Sequence, residues 1–175
     1  MYKSIVISGQ IASGTSTTAQ ALAKNLSLPL HSAGDFFRKY VLEHNIPLYD
    51  KEKIPDDLDR QIDKELTTLA QNGNVIIEAH YIGYFTRDLP QVLKVLLTCD
   101  YEIRIKRALA RTHTHIETED EIKKREQGLN SKFRKLYANK NYLDPKFFDL
   151  VIDTTTATTE QITDEILKGF KTNSA

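Results

Sequence analysis

The sequence predicts an α/β fold in which a parallel sheet of about five strands is flanked by helices. Short, nearly continuous apolar runs rich in Val and Ile are typical of strands covered on both faces, and four stand out, at residues 4–8, 75–78, 92–97 and 150–153. Helix-like stretches separate these runs. Because strands that alternate with helices form parallel sheets, we expect right-handed crossovers and a single domain over residues 1–175.

The helical stretches lie at residues 15–26, 34–44, 58–71 and 101–111. Two more helices are marked by capping-box spacings, Thr118 with Glu121 and Thr158 with Gln161. Segment 112–142 is highly charged, and it is either a solvated helix, as charge runs usually are, or a mobile helical lid whose cations close over phosphates.

The composition argues against several classes of protein. Of the 175 residues, 40% are hydrophobic and 27% are charged, as in ordinary globular domains. Lys plus Arg and Asp plus Glu both number 24, which gives no support for binding to nucleic acid or to a membrane surface. No apolar window is long enough to span a membrane, and we expect the single cysteine, Cys99, to be packed. We therefore expect a soluble, cytoplasmic monomer.

A glycine-containing loop follows the first predicted strand and opens the first helix. Four residues separate Gly9 from Gly14, so the backbone can bend tightly and turn its N–H groups toward an anion. The Ser16 hydroxyl has the position at which a P-loop holds magnesium, whereas Thr15 replaces the lysine of that pattern. The alternative is a tight turn in another kind of α/β protein.

Further motifs resemble those of nucleoside monophosphate kinases. Segment 32–38, Ser-Ala-Gly-Asp-Phe-Phe-Arg, is similar to the Ser-Ala-Gly-Asp-x-x-Arg motif of these kinases. Together with the loop sequence Ala-Ser-Gly-Thr-Ser-Thr at 12–17, it most resembles the archaeal-type cytidylate kinase family, in which threonine commonly replaces the loop lysine. The resemblance covers essentially the whole chain through segments 59–63, 75–80, 102–111, 125–137 and 149–154.

The resemblance implies a complete set of site residues. ATP phosphates would be bound by Gly9, Ala12, Ser13, Gly14, Thr15, Ser16 and Thr17, with Mg²⁺ on Ser16. The catalytic residues would be Asp35, supporting the metal through water, and the cations Arg107, Arg111 and Arg125. Arg107 and Arg111 are four residues apart, so they would share a helix face. Residues 34–72 would form the helices that bind the acceptor. The acceptor would contact Arg38, Asp59, Asp63, Glu78, His80 and Lys132.

Several of these residues have a plain alternative. Arg38 would otherwise be a surface residue, Asp59 and Asp63 would keep a helix soluble, and Glu78 would be a buried acid with satisfied hydrogen bonds. Arg104, one turn before Arg107, would either share its helix face or be solvated. Three positions depart from the family pattern. His80 replaces an arginine and would contact the acceptor as a weaker, pH-sensitive substitute for it. Gly128 and Lys132 replace the lid serine and arginine. His113 and His115 alternate near the lid, where we expect polar loop residues and not metal ligands.

The predicted function is magnesium-dependent transfer of the γ-phosphoryl group of ATP to a nucleoside monophosphate, with CMP or dCMP as the leading candidate. Small-molecule nucleotides are the expected partners. Two alternatives stay open. His80 leaves room for a kinase of the same fold with another small acceptor, and the missing lysine leaves room for a nucleotide-binding module without catalysis.

Overall fold

Five parallel strands form the centre of the structure, a computed structural model that describes residues 1–111 and 116–172. The strands are β1 (Ser4–Gly9), β2 (Leu30–Ser32), β3 (Ile76–Glu78), β4 (Val92–Thr98) and β5 (Leu150–Asp153). The helices are α1 (Thr15–Leu26), α2 (Ala33–Glu43), α3 (Asp56–Asn72), α4 (Ile82–Phe85), α5 (Tyr101–Leu109), α6 (Glu119–Leu136) and α7 (Thr159–Thr172). Short 3₁₀ turns occur at Lys51–Lys53 and Pro145–Phe147. The prediction for His113 and His115 falls outside the described residues.

Strand β1 occupies the middle of the sheet, whose order is β2-β3-β1-β4-β5. Its alternate side chains are buried on opposite faces. Ile5 and Ile7 pack with Leu22 of α1 and Ile166 of α7, whereas Val6 packs on the side of α3. All five of these side chains are fully buried, and burial of each contributes about 1.5–3 kcal/mol.

The strand register brings the functional segments to one edge of the sheet. Ile7 of β1 pairs with Glu78 of β3, and Gly9 pairs with Leu97 of β4. The loop after Gly9 therefore lies beside the ends of both neighbouring strands. This is the carboxyl edge, at which ligands of open parallel sheets bind.

The predicted strands agree with the structure to within one residue at each end, and the predicted helices to within two. Strand β2 has only three residues and α4 only four, which is too short for a periodic pattern. One difference affects the site. Helix α5 ends at Leu109, so Arg111 lies beyond it, and the prediction that Arg107 and Arg111 share a helix face is wrong. Helix ends fray, and periodicity alone does not define the last turn.

Both predicted capping boxes are confirmed. The Thr118 hydroxyl accepts a hydrogen bond from the Glu121 N–H at 3.3 Å, and the Glu121 carboxylate accepts one from the Thr118 N–H at 2.8 Å. Thr158 and Gln161 make the same reciprocal pair at 3.2 and 2.9 Å. Each pair satisfies two backbone groups that the first helical turn leaves without partners.

Helix α6 is packed against the rest of the protein and is not a solvated charge run. Ile122, Leu129, Lys132 and Phe133 are buried on one side of the helix, and Tyr142 packs with them. The solvated interpretation is therefore wrong for helix α6, because Ile122, Leu129 and Phe133 face inward. A lid between residues 112 and 142 stays a prediction. Among the described helices, none combines the length and apolarity that a membrane crossing requires.

Candidate active site

The loop between β1 and α1 has the backbone shape that an anion site requires. Gly14 is the N-terminal cap of α1 with φ +97°, a value that favours glycine. A Cβ on Gly9 would lie 2.4 Å from Ser13 Oγ and 2.7 Å from the Leu97 carbonyl, so only glycine fits there. The first N–H groups of α1, from Thr15 to Thr17, have no carbonyl one turn earlier in the helix. They are available to bind phosphate oxygens.

Thr15, in the position of the P-loop lysine, is held by the end of β3. Its hydroxyl donates a hydrogen bond of 2.8 Å to Glu78 Oε1, and Ser32 donates one of 2.6 Å to Oε2. Glu78 is buried. The carboxylate thus joins the loop, β2 and β3 at the edge of the sheet, where the sequence had predicted it.

His80 lies against the start of the loop and is neutral near pH 7. Its Nδ1 is 3.0 Å from the Gly9 carbonyl oxygen, so Nδ1 donates and Nε2 is left as an acceptor. Burial lowers the pKa of His80 well below its usual range, although the charge of Glu78 acts in the opposite direction. The predicted role of a pH-sensitive replacement for arginine therefore does not fit this position, because the imidazole carries no positive charge in the neutral range.

A cavity of about 80 Å³, hereafter the central cavity, is lined in part by His80, whose ring contacts the loop at Gly9. Apolar side chains of α2, segment 48–54 and α6 form much of its wall. Its charged and polar side chains are Arg38, Lys51, Asp63, His80 and Arg125. Four of these five were predicted to contact phosphates or an acceptor, and the fold brings them into one wall.

Three arginines from distant parts of the chain come close together. Burial lowers the pKa of Arg125, and the charges of Arg111 and Arg38 lower it further. Glu117 opposes this effect by accepting hydrogen bonds of 2.8 and 2.9 Å from Arg125 Nη1. Arg38 also pairs with Asp35, one turn earlier in α2. The result is a positively charged group beside the loop, held by two carboxylates.

Arg107 lies elsewhere. Its guanidinium donates to the Thr154 carbonyl at 2.8 Å, and the Thr154 hydroxyl donates to the Ser13 carbonyl at 2.8 Å. Arg107 and Thr154 line a second cavity of about 190 Å³ together with Gly14 and Thr17, hereafter the loop cavity. Arg107 is therefore linked to the loop through Thr154, and it lines a different cavity from the arginine group.

Arg104 and Cys99 have packing roles. Arg104 is buried and donates to the Ile11 carbonyl at 3.0 Å and to Glu126 at 2.6 Å, so it ties α5 to the loop and to α6. Cys99 is buried, as expected, and its sulfur accepts a hydrogen bond from Arg107 at 3.3 Å.

Lys132 and Asp59 belong to a buried ion-pair network. The ammonium of Lys132 is fully buried, 2.9 Å from Asp56 and 3.3 Å from Asp59. Lys51 pairs with Asp59 at 2.8 Å. Gly128 of α6 permits this packing, because a Cβ there would lie 3.1 Å from the Lys51 Cβ. The network joins α3, α6 and the 3₁₀ turn through ion pairs inside the protein.

Asp63, one turn after Asp59, differs from it. Its Oδ2 accepts a hydrogen bond of 2.6 Å from Tyr137, and its side chain lines the central cavity. Burial raises the pKa of Asp63 to about 7, and the hydrogen bond from Tyr137 only partly opposes this shift. The two aspartates share a helix face but have different surroundings.

Sequence reasoning did not find Lys51, Glu117, Tyr137 or Thr154 as site residues. Lys51 lies in a three-residue turn without any recognisable motif. Glu117 becomes visible only through its partner Arg125. Tyr137 and Thr154 lie in segments 125–137 and 149–154, which carry the family resemblance, so a signal existed for both.

The loop, the parallel sheet and the cationic cavity define a kinase of the P-loop class. A solved shikimate kinase from Acinetobacter baumannii, in complex with shikimate, has the same fold with a TM-score of 0.64, 15% identity and coverage of 99% of this chain and 95% of its own. A family model described as an AAA domain matches residues 5–129.

Curated relatives identify the family. The cytidylate kinase of Sulfolobus acidocaldarius is 36% identical over 171 residues, which cover 93% of this chain and 91% of the relative. That of Ignicoccus hospitalis is 36% identical over 166 residues, with 93% and 95% covered. The chain therefore belongs to the cytidylate kinase family of nucleoside monophosphate kinases.

Proposed function

We propose that the protein catalyses magnesium-dependent transfer of the γ-phosphoryl group of ATP to CMP or dCMP. The observation that carries the proposal is that His80 joins the phosphate loop to the central cavity: its ring contacts the Gly9 carbonyl, and it lines the cavity together with Arg38 and Arg125. Such transfer needs two phosphates brought into line and positive charge around the group that moves. Membership of the cytidylate kinase family supports cytidylate as the acceptor.

The donor phosphates would be bound by residues 9–17 through backbone N–H groups, with Gly14 providing the turn. Mg²⁺ fits beside Ser16. The Ser16 hydroxyl makes no hydrogen bond within the described residues and is half-buried, and the Glu78 carboxylate accepts a hydrogen bond from the preceding residue, Thr15. Hydroxyl and carboxylate oxygens are ligands that Mg²⁺ accepts, directly or through water. When bound, the ion would offset negative charge on the phosphates.

The guanidinium groups of Arg38, Arg111 and Arg125 would take the place of the missing loop lysine. Planar guanidinium groups bind phosphate oxygens in pairs, and a buried site strengthens each contact. We assign Arg38 to the phosphate of the acceptor, and Arg111 and Arg125 to the transferred phosphoryl group. Asp35 and Glu117 would keep two of these side chains in position.

The loop cavity suits the nucleoside part of ATP. It borders Gly14 and Thr17 on the flank of the loop away from the arginine group, and Arg107 forms part of its wall. Arg107 would then bind the base or ribose of ATP. The positive charge that stabilises the reacting phosphates would come from Arg111 and Arg125.

The test is ATP turnover with CMP, dCMP, UMP, AMP and GMP, measured with Mg²⁺ and with the metal chelated. We expect ADP formation that depends on both Mg²⁺ and acceptor and is fastest with CMP or dCMP. Turnover only with a different acceptor would support the alternative that His80 leaves open, a kinase of the same fold that acts on another small acceptor. ATP binding without turnover of any acceptor would show a nucleotide-binding module and would overturn the proposal.

A further inference from the structure

Lys51 and Asp63 occupy one part of the central cavity and the arginines another. Arg38, Lys51, Asp63, His80 and Arg125 all line the central cavity. The charge of Asp63 acts on the pKa of Lys51, whereas the charges of Arg111 and Arg38 act on the pKa of Arg125. His80 is near members of both sets, since the charges of Arg125 and Lys51 both act on its pKa. A ligand whose phosphate contacts the arginines therefore extends past His80 toward Lys51 and Asp63.

Lys51 is fixed in the cavity wall as a hydrogen-bond donor. Its ammonium donates to Asp59 at 2.8 Å and lies 3.5 Å from the centre of the Phe37 ring. Within residues 1–111 and 116–172 these are the contacts that hold the group, and an ammonium has three N–H bonds. One N–H bond is thus left to donate to a ligand in the cavity.

Asp63 is the matching acceptor. Tyr137 donates to its Oδ2 at 2.6 Å and fixes the plane of the carboxylate, while Oδ1 has no hydrogen bond within the described part of the chain. Asp59 is different, because Lys51 and Lys132 both pair with it and it is 1% exposed. Of the two aspartates, only Asp63 lines the cavity with an oxygen to spare.

A donor beside an acceptor discriminates between bases of the same shape. Cytosine has an exocyclic amino donor next to an unprotonated ring nitrogen, whereas uracil has a carbonyl oxygen next to a protonated ring nitrogen. Asp63 would accept from the amino group, and Lys51 would donate to the ring nitrogen or its neighbouring carbonyl. Uracil would place two acceptors or two donors against each other, which leaves buried polar groups without partners.

We propose that Lys51 and Asp63 together select the acceptor base by its hydrogen-bonding edge, favouring an amino donor beside an unprotonated ring nitrogen over a carbonyl beside a ring N–H. The inference rests on the proposed function, because it places the base of an acceptor nucleotide in the central cavity. It assigns Lys51 a specificity-determining role and separates the role of Asp63 from that of Asp59.

The test compares kcat/KM for CMP and UMP in the parent, Asp63→Asn and Lys51→Met. The matched controls are Asp57→Asn on the exposed face of α3 and Lys53→Met, an exposed lysine of the same 3₁₀ turn. We expect the parent to favour CMP and the CMP-to-UMP ratio to fall about tenfold or more in Asp63→Asn and in Lys51→Met. The controls should keep the parental ratio. If Asp63 and Lys51 had a purely structural role, their replacement would lower kcat/KM for CMP and for UMP equally and leave the CMP-to-UMP ratio unchanged.

Asp63→Asn is the decisive variant, because it preserves shape and removes a buried charge, so it should fold even if Lys51→Met does not. An unchanged ratio in folded Asp63→Asn, or a parent that uses UMP as well as CMP, would overturn the inference while leaving a nucleoside monophosphate kinase. A parent that phosphorylates no nucleoside monophosphate would instead defeat the proposed function, and the inference with it.

Discussion

The Thr15 hydroxyl donates a 2.8 Å hydrogen bond to Glu78 Oε1, across 63 residues of sequence. The residue that replaces the P-loop lysine is therefore tied to the end of β3, and the same carboxylate accepts from Ser32 of β2. A lysine in this position would place its charge on the phosphates. Here the threonine instead holds the carboxylate beside the metal position that we propose for Ser16.

Replacing Glu78 with Gln should lower kcat with ATP and CMP by about 10–100-fold, because a group that orients a proposed metal site is lost. Steady-state rates at several Mg²⁺ concentrations measure the effect, and the apparent Mg²⁺ requirement should rise. Glu65→Gln, on the exposed face of α3, serves as the control. Parental rates and Mg²⁺ dependence in Glu78→Gln would show that Glu78 only holds the fold.

Arg125→Ala should lower kcat by about 100-fold or more, as expected when a donor to a developing negative charge is removed. Arg125→Lys should recover only part of the rate, since it keeps the charge and loses the planar fork. Single-turnover measurements at saturating ATP isolate the transfer step. The neighbouring exposed Lys124→Ala is the matched control. If Arg125→Ala transfers at the parental rate, the charge-supplying group has been misassigned.

Arg107→Ala should behave differently, because Arg107 lines the loop cavity and not the central cavity. We expect the KM for ATP to rise about tenfold while the KM for CMP and the kcat change little. This is the result expected when a residue binds ATP equally well in the ground state and in the transition state. Lys106→Ala, exposed on the same helix, controls for the change of charge. A selective fall in kcat would place Arg107 at the reacting phosphates after all.

Lys132→Met should destabilise the protein by about 3–5 kcal/mol, because it leaves the buried Asp59 and the half-buried Asp56 with one cation fewer. Urea unfolding followed by circular dichroism measures the change. Lys135→Met is a close comparison, since Lys135 also pairs with Asp56 but is exposed, and it should cost less than about 1 kcal/mol. Equal losses in the two variants would contradict a buried network.

Stability should depend on the protonation of Asp63 in a definite direction. Burial raises the pKa of its carboxyl to about 7, so the folded protein holds this proton more tightly than the unfolded chain does. The contribution of Asp63 to stability is thus greatest below pH 4 and is lost as pH rises toward 7. Three pKa units correspond to an upper value of about 4 kcal/mol.

Asp63→Asn lacks this titration and keeps an acceptor for the Tyr137 hydroxyl. The free energy of unfolding of Asp63→Asn minus that of the parent should therefore increase between pH 4 and pH 7 and stay constant above it. His80 makes the free energy of unfolding vary with pH in the opposite direction, because its pKa is lowered. This contribution is present in both proteins and cancels in the difference. A difference that does not vary with pH would show that Asp63 is not buried in solution.

Much of the fold followed from short-range patterns. The apolar runs of β1 and β4, the capping boxes at Thr118 and Thr158, and the glycine spacing of the loop depend on residues within a few positions of each other. Their geometry is dictated by backbone hydrogen bonding and by steric limits on φ and ψ, so it could be predicted without knowing what packs where. The order of motifs then indicated the family.

The tertiary structure alone decided which charged residue does what. Lys132, predicted to contact an acceptor, is enclosed with Asp59, whereas Asp63 and the unpredicted Lys51 reach the central cavity. Arg107 and Arg111, four residues apart, are directed to opposite flanks of the loop once α5 ends at Leu109. The physical reason is that the role of a charged side chain depends on its partners and on its burial, and both depend on how distant helices pack.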